Sequence, residues 1–237
     1  MTPLLYAARD GRTKEAELLL AAGADVELAE ANGMPPLLMA LLNDQLEIAR
    51  LLLAHGADVN ADDFWGRTPL FAAVDYRNLD MNNRDMDSPT TNFVDREPLL
   101  EMIGELIEHG ADPNLPTQAG TTPLMAASGV NWVVAQTYTE SQQSLLDAIQ
   151  LCLDHGADVN AVNSMGLTAL LGAANRGAND IIRLLVANGA RVDVVDKEGR
   201  SALRWAEGVF LAAVGAERKP ATIALLEELG APKTANR

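Results

Sequence analysis

Imidazole is a common metal ligand and proton carrier, so His55, His109 and His155, the only histidines of the chain, are the first residues to weigh for chemistry. Each directly precedes a glycine that closes an apolar run, so the three repeat one local setting instead of converging. A metal site gathers its nitrogens at about 2 Å from one ion, whereas equivalent points on packed neighbouring helices stay roughly 10 Å apart. The setting points to helix-end capping, in which the ring meets a terminal carbonyl and the negative end of the helix dipole. Asp80, Asn82, Asp85 and Asp87 offer oxygen ligands for calcium. Their spacing departs from the twelve-residue calcium loop, and its glycine and closing glutamate are missing, so a solvated acidic loop is the simpler reading. Cys152 is the sole cysteine, which excludes an intrachain disulfide and a cysteine-cluster zinc site. It stands where sister segments carry Leu19, Leu52, Leu106 and Leu185, the place of a small buried hydrophobe. No metal site and no cofactor is expected.

Catalysis finds no better footing. There is no serine or cysteine nucleophile in a recognisable elbow and no Gly-Lys-Ser/Thr phosphate loop. Asp25, Asp58, Asp112 and Asp158 recur at one matched place, and Glu27, Asn60, Asn114 and Asn160 at another. The aspartates are explained by local turn hydrogen bonds. An active site needs unlike groups meeting once, and like groups returning at intervals argue for a non-catalytic chain. The formal net charge of −15 over 237 residues disfavours nucleic acid, whose phosphates call for clustered Lys and Arg, and favours a protein partner with a basic surface or one without strong charge. No apolar run approaches the roughly 20 residues that span a bilayer, so no membrane insertion is expected. Met1 to Arg12 lacks the pattern of a secretory signal, which makes the cytoplasm the default and export the outcome only if a targeting segment precedes Met1.

The recurrences come from the elements that carry them. Helix stops fall at Gly23, Gly56, Gly110, Gly156, Gly189 and Gly230, each followed by alanine; glycine tolerates the positive φ that ends a helix. Helix starts fall at Thr2-Pro3-Leu4, Pro35-Pro36-Leu37, Thr68-Pro69-Leu70, Thr122-Pro123-Leu124, Thr168-Ala169-Leu170 and Ser201-Ala202-Leu203. There a hydroxyl caps the first turn and proline costs no hydrogen bond. Pro35 forfeits the hydroxyl cap. Starts are spaced 33, 33, 54, 46 and 33 residues apart, a 33-residue period with two interruptions.

That period, the Thr-Pro-Leu starts and the Gly-Ala-Asp-Val-Asn stops resemble the ankyrin repeat, here of a bacterial type with insertions between the paired helices. The resemblance covers nearly the whole chain. It implies an all-α solenoid of six helix-turn-helix units joined by hairpin-like loops, within one domain over residues 1–232. The repeats run about 1–32, 33–65, 66–119, 120–165, 166–198 and 199–232, and 233–237 form a tail. The histidine that usually follows Thr-Pro-Leu is absent, replaced by Leu5, Leu38, Phe71, Met125, Leu171 and Arg204, so apolar packing must link most units. Short helices are marginal alone, and stacking supplies the core.

Three insertions enter between the two helices of a unit. One near 75–97 is rich in Asn and Asp, one near 129–143 is partly apolar, and one lies around 210–218. The first two belong to adjacent units, so Tyr76, Phe93, Trp132 and Tyr138 are expected to form a satellite cluster. In the first unit Leu4, Leu5, Ala7 and Ala8 on one helix and Ala16, Leu18, Leu19 and Leu20 on the other form the packing face. Its outer side carries polar substitutions only weakly, which leaves self-association through this end as an alternative to a monomer.

In ankyrin proteins the hairpin tips and first helices line a concave binding face, and residues beside the loop glycine do not hold the stack together. Carried onto this chain, that implies partner contacts at Asn32, Met34, Phe64, Trp65, Arg67, Gln118, Thr121, Met165, Leu167, Lys197 and Arg200, with Tyr76 and Arg176 at first-helix ends. Phe64-Trp65 leads the set, since two large aromatics beside Arg67 have the character of an interface centre. The expected function is a non-catalytic protein-interaction scaffold. The alternative is a structural or regulatory segment that packs against another domain or a second copy.

Overall fold

The structure, a computed structural model, describes residues 1–76, 97–130, 142–209 and 218–232. It contains twelve helices among the described residues: α1 (Pro3–Asp10), α2 (Thr13–Ala21), α3 (Pro36–Leu42), α4 (Leu46–Ala54), α5 (Pro69–Tyr76), α6 (Glu97–Glu108), α7 (Pro123–Ala127), α8 (Gln142–Asp154), α9 (Ala169–Arg176), α10 (Asn179–Ala187), α11 (Ala202–Ala206) and α12 (Pro220–Glu228). The sole strand-like feature among those residues is an isolated bridge between Val195 and Ser201.

Local chemistry sets most of the starts. The hydroxyls of Thr2, Thr68, Thr122, Thr168 and Ser201 accept the N–H three residues on, at 3.2 to 3.4 Å. Pro35 caps α3 with no side-chain bond. At the other ends, ring Nδ1 of His55, His109 and His155 donates to the carbonyl four residues back at 2.8 to 2.9 Å. Asn188 does the same with its amide at 2.9 Å. Capping is therefore what the histidines do.

Consecutive helices pair as α1 with α2, α3 with α4 and so on to α11 with α12, and the pairs stack. The first helices α1, α3, α5, α7, α9 and α11 form one layer and the second helices the other, each touching its counterpart in the next pair. Matched positions fill the seam between layers: Leu52, Leu106, Cys152, Leu185 and Leu226 are all fully buried, each such leucine being worth about 1.5–3 kcal/mol. Burial pushes the Cys152 thiol up to about 12, which keeps it protonated and inert. Gly172 in α9 lies so close to Val130 that a Cβ there would stand 2.7 Å from the Val130 nitrogen.

A polar ladder also joins the pairs. The Oδ1 atoms of Asp25, Asp58, Asp112 and Asp158 accept the N–H two residues on at 2.9 Å. This turn aims the next side chain across the gap. Asn60 donates to the Gly110 carbonyl and accepts from the Asp112 N–H, Asn114 does so with Gly156 and Asp158, and Asn160 with Gly189 and Arg191. Glu27 can only accept, from the Asp58 N–H at 2.7 Å.

One packing expectation fails at the start of the stack. Leu18, expected in the packing face, is 72 % exposed, and Tyr6 on the neighbouring helix is 48 % exposed.

Candidate partner-binding surface

Five turns connect the six helix pairs, built around Gly33, Gly66, Gly120, Gly166 and Gly199, all at φ between 75° and 80°. Each closes by two backbone bonds; at the second, Gly66 N–H donates to Asp63 O at 2.8 Å and Asp63 N–H to Arg67 O at 3.2 Å. Neighbouring turns are then tied tip to tip. Phe64 N–H donates to the Asn32 carbonyl, Gln118 N–H to Trp65, Ser164 N–H to Ala119 and Lys197 N–H to Met165, at 2.9 to 3.1 Å. A Cβ on Gly66 or Gly166 would meet the next turn's backbone nitrogen at 2.8 or 2.7 Å, so close approach as well as positive φ demands glycine there. The residues beside the loop glycines thus do hold the stack together through their backbones, contrary to the expectation that they are spare.

The side chains divide. Phe64, 64 % exposed, and Trp65, 49 % exposed, stand out at the second tip, their rings edge to face with centroids 5.8 Å apart. Asn32, Gln118, Met165 and Lys197 are also exposed, and the Gln118 amide donates to the Phe64 carbonyl. Met34 is half-buried against the core. Thr121 and Leu167 are buried, because the residue after the glycine turns inward to start the next helix; they are withdrawn from the contact surface. Arg176 is half-buried and packs its stem against Gly129. The side chain of Tyr76, its cluster partners Phe93, Trp132 and Tyr138, and the acidic group Asp80, Asn82, Asp85 and Asp87 lie outside the described residues.

Arg67 and Arg200 are clamps first. Asp63, its carboxylate fully buried, accepts the N–H groups of Trp65 and Arg67 on Oδ1 at 2.9 and 3.0 Å, and holds the Arg67 guanidinium on Oδ2 at 2.6 and 2.8 Å. Asp196 does the same for Glu198 and Arg200 at the fifth turn. Arg67 lies over the Trp65 ring at 5.0 Å, a cation–π contact that fixes the indole. Asp75, at the end of α5, is the titrating neighbour of this site. Burial raises its carboxyl to about 6, partly offset by the charge of Arg67.

Sequence reasoning missed two features. Trp205 of α11 donates its indole N–H to Asp196 Oδ2 at 2.9 Å beneath the fifth turn. Val162 and Val195, each just ahead of the turn-closing residue, are exposed, and their signal is an apolar side chain where the second turn has Asp62. Among the described residues no group of three or more His, Cys, Asp or Glu is placed to hold a metal ion, and no helix is long and apolar enough to cross a membrane.

A family model described as ankyrin repeats, in three copies, matches residues 4–84 and 138–209, well over half of the chain. No curated protein matches it.

Proposed function

The chain belongs to the ankyrin repeat family, whose repeats generally mediate contacts between proteins, and on that premise we propose that it is a non-catalytic docking scaffold whose partner is gripped at the row of turn tips and the adjoining first-helix ends. Residues 1–232 act in this reading as one domain with the six repeat boundaries given above. The observation that carries it is the second tip: Phe64 and Trp65 are large, exposed and already fixed, by an edge-to-face contact and by a guanidinium held on a buried carboxylate. Exposed aromatics that lose little freedom on binding are the usual centres of interface energy. Asn32, Gln118, Met165 and Lys197 supply the surrounding contacts from neighbouring tips. The charge of −15 favours a partner with a basic surface, whose association would weaken as salt rises.

The test is affinity capture from the source cells with the wild-type chain and with Phe64→Ala/Trp65→Ala, followed by titration calorimetry on the recovered protein. Trp65→Ala is expected to weaken binding by more than about 1 kcal/mol, with circular dichroism and melting unchanged. Equal affinity for a partner that the wild type captures removes Trp65 as the anchor and this reading of the tips with it.

A further inference from the structure

Asparagine followed by glycine is the pair in which a side-chain amide is most open to attack by the next backbone nitrogen, because glycine has no Cβ to block the approach. The chain holds two such pairs, Asn32-Gly33 and Asn188-Gly189, and both asparagines are exposed. Their attacking nitrogens are held alike: Gly33 N–H donates to the Glu30 carbonyl at 2.9 Å and Gly189 N–H to that of Val186 at 3.0 Å. Reaction at either pair requires its turn to open, and the surroundings decide how readily it does. Asn188 caps α10, with its side-chain amide on the Leu184 carbonyl at 2.9 Å and its backbone N–H on Leu184 and Leu185 at 3.1 Å. Freeing it unwinds the end of α10 beside the fully buried Leu185. Asn32 has no such hold, and its amide meets only Glu30 Oε1, at 3.4 Å. Glu30 occupies the position of Asp63, Asn163 and Asp196 in the second, fourth and fifth turns. Each of those three accepts two backbone N–H groups of its turn on Oδ1 at 2.9 to 3.0 Å, and Thr117 of the third turn accepts one at 3.3 Å. Glu30 accepts none among the described residues, its extra methylene carrying the carboxylate past the N–H groups of Asn32 and Met34. There is room as well, since a Cβ on Gly33 would meet nothing nearer than 3.7 Å.

From this we infer that Asn32-Gly33, in the one turn without a side-chain clamp, is a site of self-modification at which the asparagine cyclises and opens to isoaspartate and aspartate. The Gly33 nitrogen gives up its proton and attacks Asn32 Cγ. The N–Cγ bond forms, the Cγ–Nδ2 bond breaks, and Nδ2 leaves as ammonia with the proton that the backbone released. Water then opens the five-membered imide. Breaking the new N–Cγ bond leaves aspartate, whereas breaking the original peptide bond leaves isoaspartate, in which the chain runs through Cβ and Cγ. Water is the sole co-reactant, and either product adds a carboxylate to the first tip. In isoaspartate the carbonyl that accepts the Phe64 N–H at 2.9 Å leaves the chain as a free carboxylate, so Phe64 loses its backbone anchor on the first turn. The row of tips thus changes with the age of the molecule. The chemistry needs no partner and stands apart from the docking function proposed for these tips.

Peptide mass mapping of the whole folded chain, aged in warm and mildly alkaline buffer, tests this. A gain of one dalton is expected at Asn32, accumulating about tenfold faster than at Asn188 or more, with isoaspartate as the larger share. In urea the two pairs should react alike, because neither turn is then held. Asn32→Gln should abolish the gain at that position, since the six-membered imide closes far more slowly. Glu30→Asp gives the first turn the shorter carboxylate of the second and fifth and should slow the reaction at Asn32 severalfold, with an unchanged helical dichroism spectrum as the check on folding. Equal rates at the two pairs in the folded chain, or a faster one at Asn188, overturn the inference. So do a difference that persists in urea, which would be local sequence and not the turn, and a rate at Asn32 indifferent to Glu30→Asp.

Discussion

At the second turn Asp63 holds Arg67, and Arg67 lies over Trp65; at the fifth, Asp196 holds Arg200, and Arg200 lies over Trp205. In both clamps Oδ1 takes two backbone N–H groups and Oδ2 takes the guanidinium Nε, while Nη2 stays on Asp63 at the second turn and reaches Glu198 Oε2 at 2.8 Å at the fifth. The indole differs. Trp205 comes from α11, is 3 % exposed, and spends its N–H on Asp196. Trp65 comes from the tip itself, is half exposed, and its indole nitrogen makes no hydrogen bond among the described residues. One arrangement of carboxylate, guanidinium and indole serves as a structural fastening where the ring is buried and as a rigid display where it is not. Residue type alone does not say which; burial and the destination of the N–H do.

The largest test of that contrast is paired truncation. Trp205→Ala empties a filled site beneath the last turn and is expected to cost about 3–5 kcal/mol. Trp65→Ala removes a ring with solvent on one side and should stay within about 0.5 kcal/mol. Urea unfolding followed by far-ultraviolet dichroism compares the two, and equal losses would erase the distinction between fastening and display.

A second contrast is electrostatic. On the helix that follows the second turn, Asp75 faces the field of Arg67, whereas the matching residue after the fifth turn is Gly208. The Asp75 carboxyl stands at about 6 against 3.8 unperturbed, mainly because it is buried. A carboxyl that is harder to ionise in the fold than in the unfolded chain binds more protons when folded between those values, so its contribution to stability falls as pH rises from about 4 to about 6. Above that window the buried charge costs up to about 3 kcal/mol. Asp75→Asn should therefore stabilise the protein at pH 7 by up to that amount and do nothing at pH 3.5. The difference between variant and wild type across pH isolates this group from the many other carboxylates. A pH-independent difference would mean that the carboxyl is not the source.

The contrast between the two turns was only half legible in the sequence. Hydroxyl caps, glycine stops and histidine caps act within four residues, so they read directly from spacing. Asn114 and Thr122 show how far that goes: they lie in the stretch 85–137 that the family match leaves out, yet make the same bonds as their counterparts within it. Asp63 and Asp196 escaped notice because their task is set by a turn that directs the carboxylate inward. Trp205 reaches Asp196 across nine residues and an intervening helix start, a contact that periodicity cannot supply. Thr121 and Leu167 were misplaced on the surface by one step of turn register. Leu18 was misplaced in the core, since an apolar pattern marks a face without saying whether a neighbour covers it.

The smallest effect separates what the two clamps share from what they do not. The fourth turn already carries the relevant substitution: Asn163 stands at the clamp position, its Oδ1 still accepts from Met165 and Leu167, and Leu167 replaces the arginine. Asp63→Asn should accordingly keep its turn and lose only the pairing with Arg67. Asp196→Asn should lose the pairing with Arg200 and in addition leave the Trp205 N–H facing an amide, a buried donor without its carboxylate. Orphaning such a donor costs about 1–3 kcal/mol, so Asp196→Asn should exceed Asp63→Asn by about 1 kcal/mol or somewhat more. Repeating both substitutions with Trp205→Phe in place removes the donor beforehand. The excess should then vanish, because the indole bond is its source; an excess that persists would place the difference in the guanidinium, whose Nη2 lies on Asp63 at the second turn and on Glu198 at the fifth.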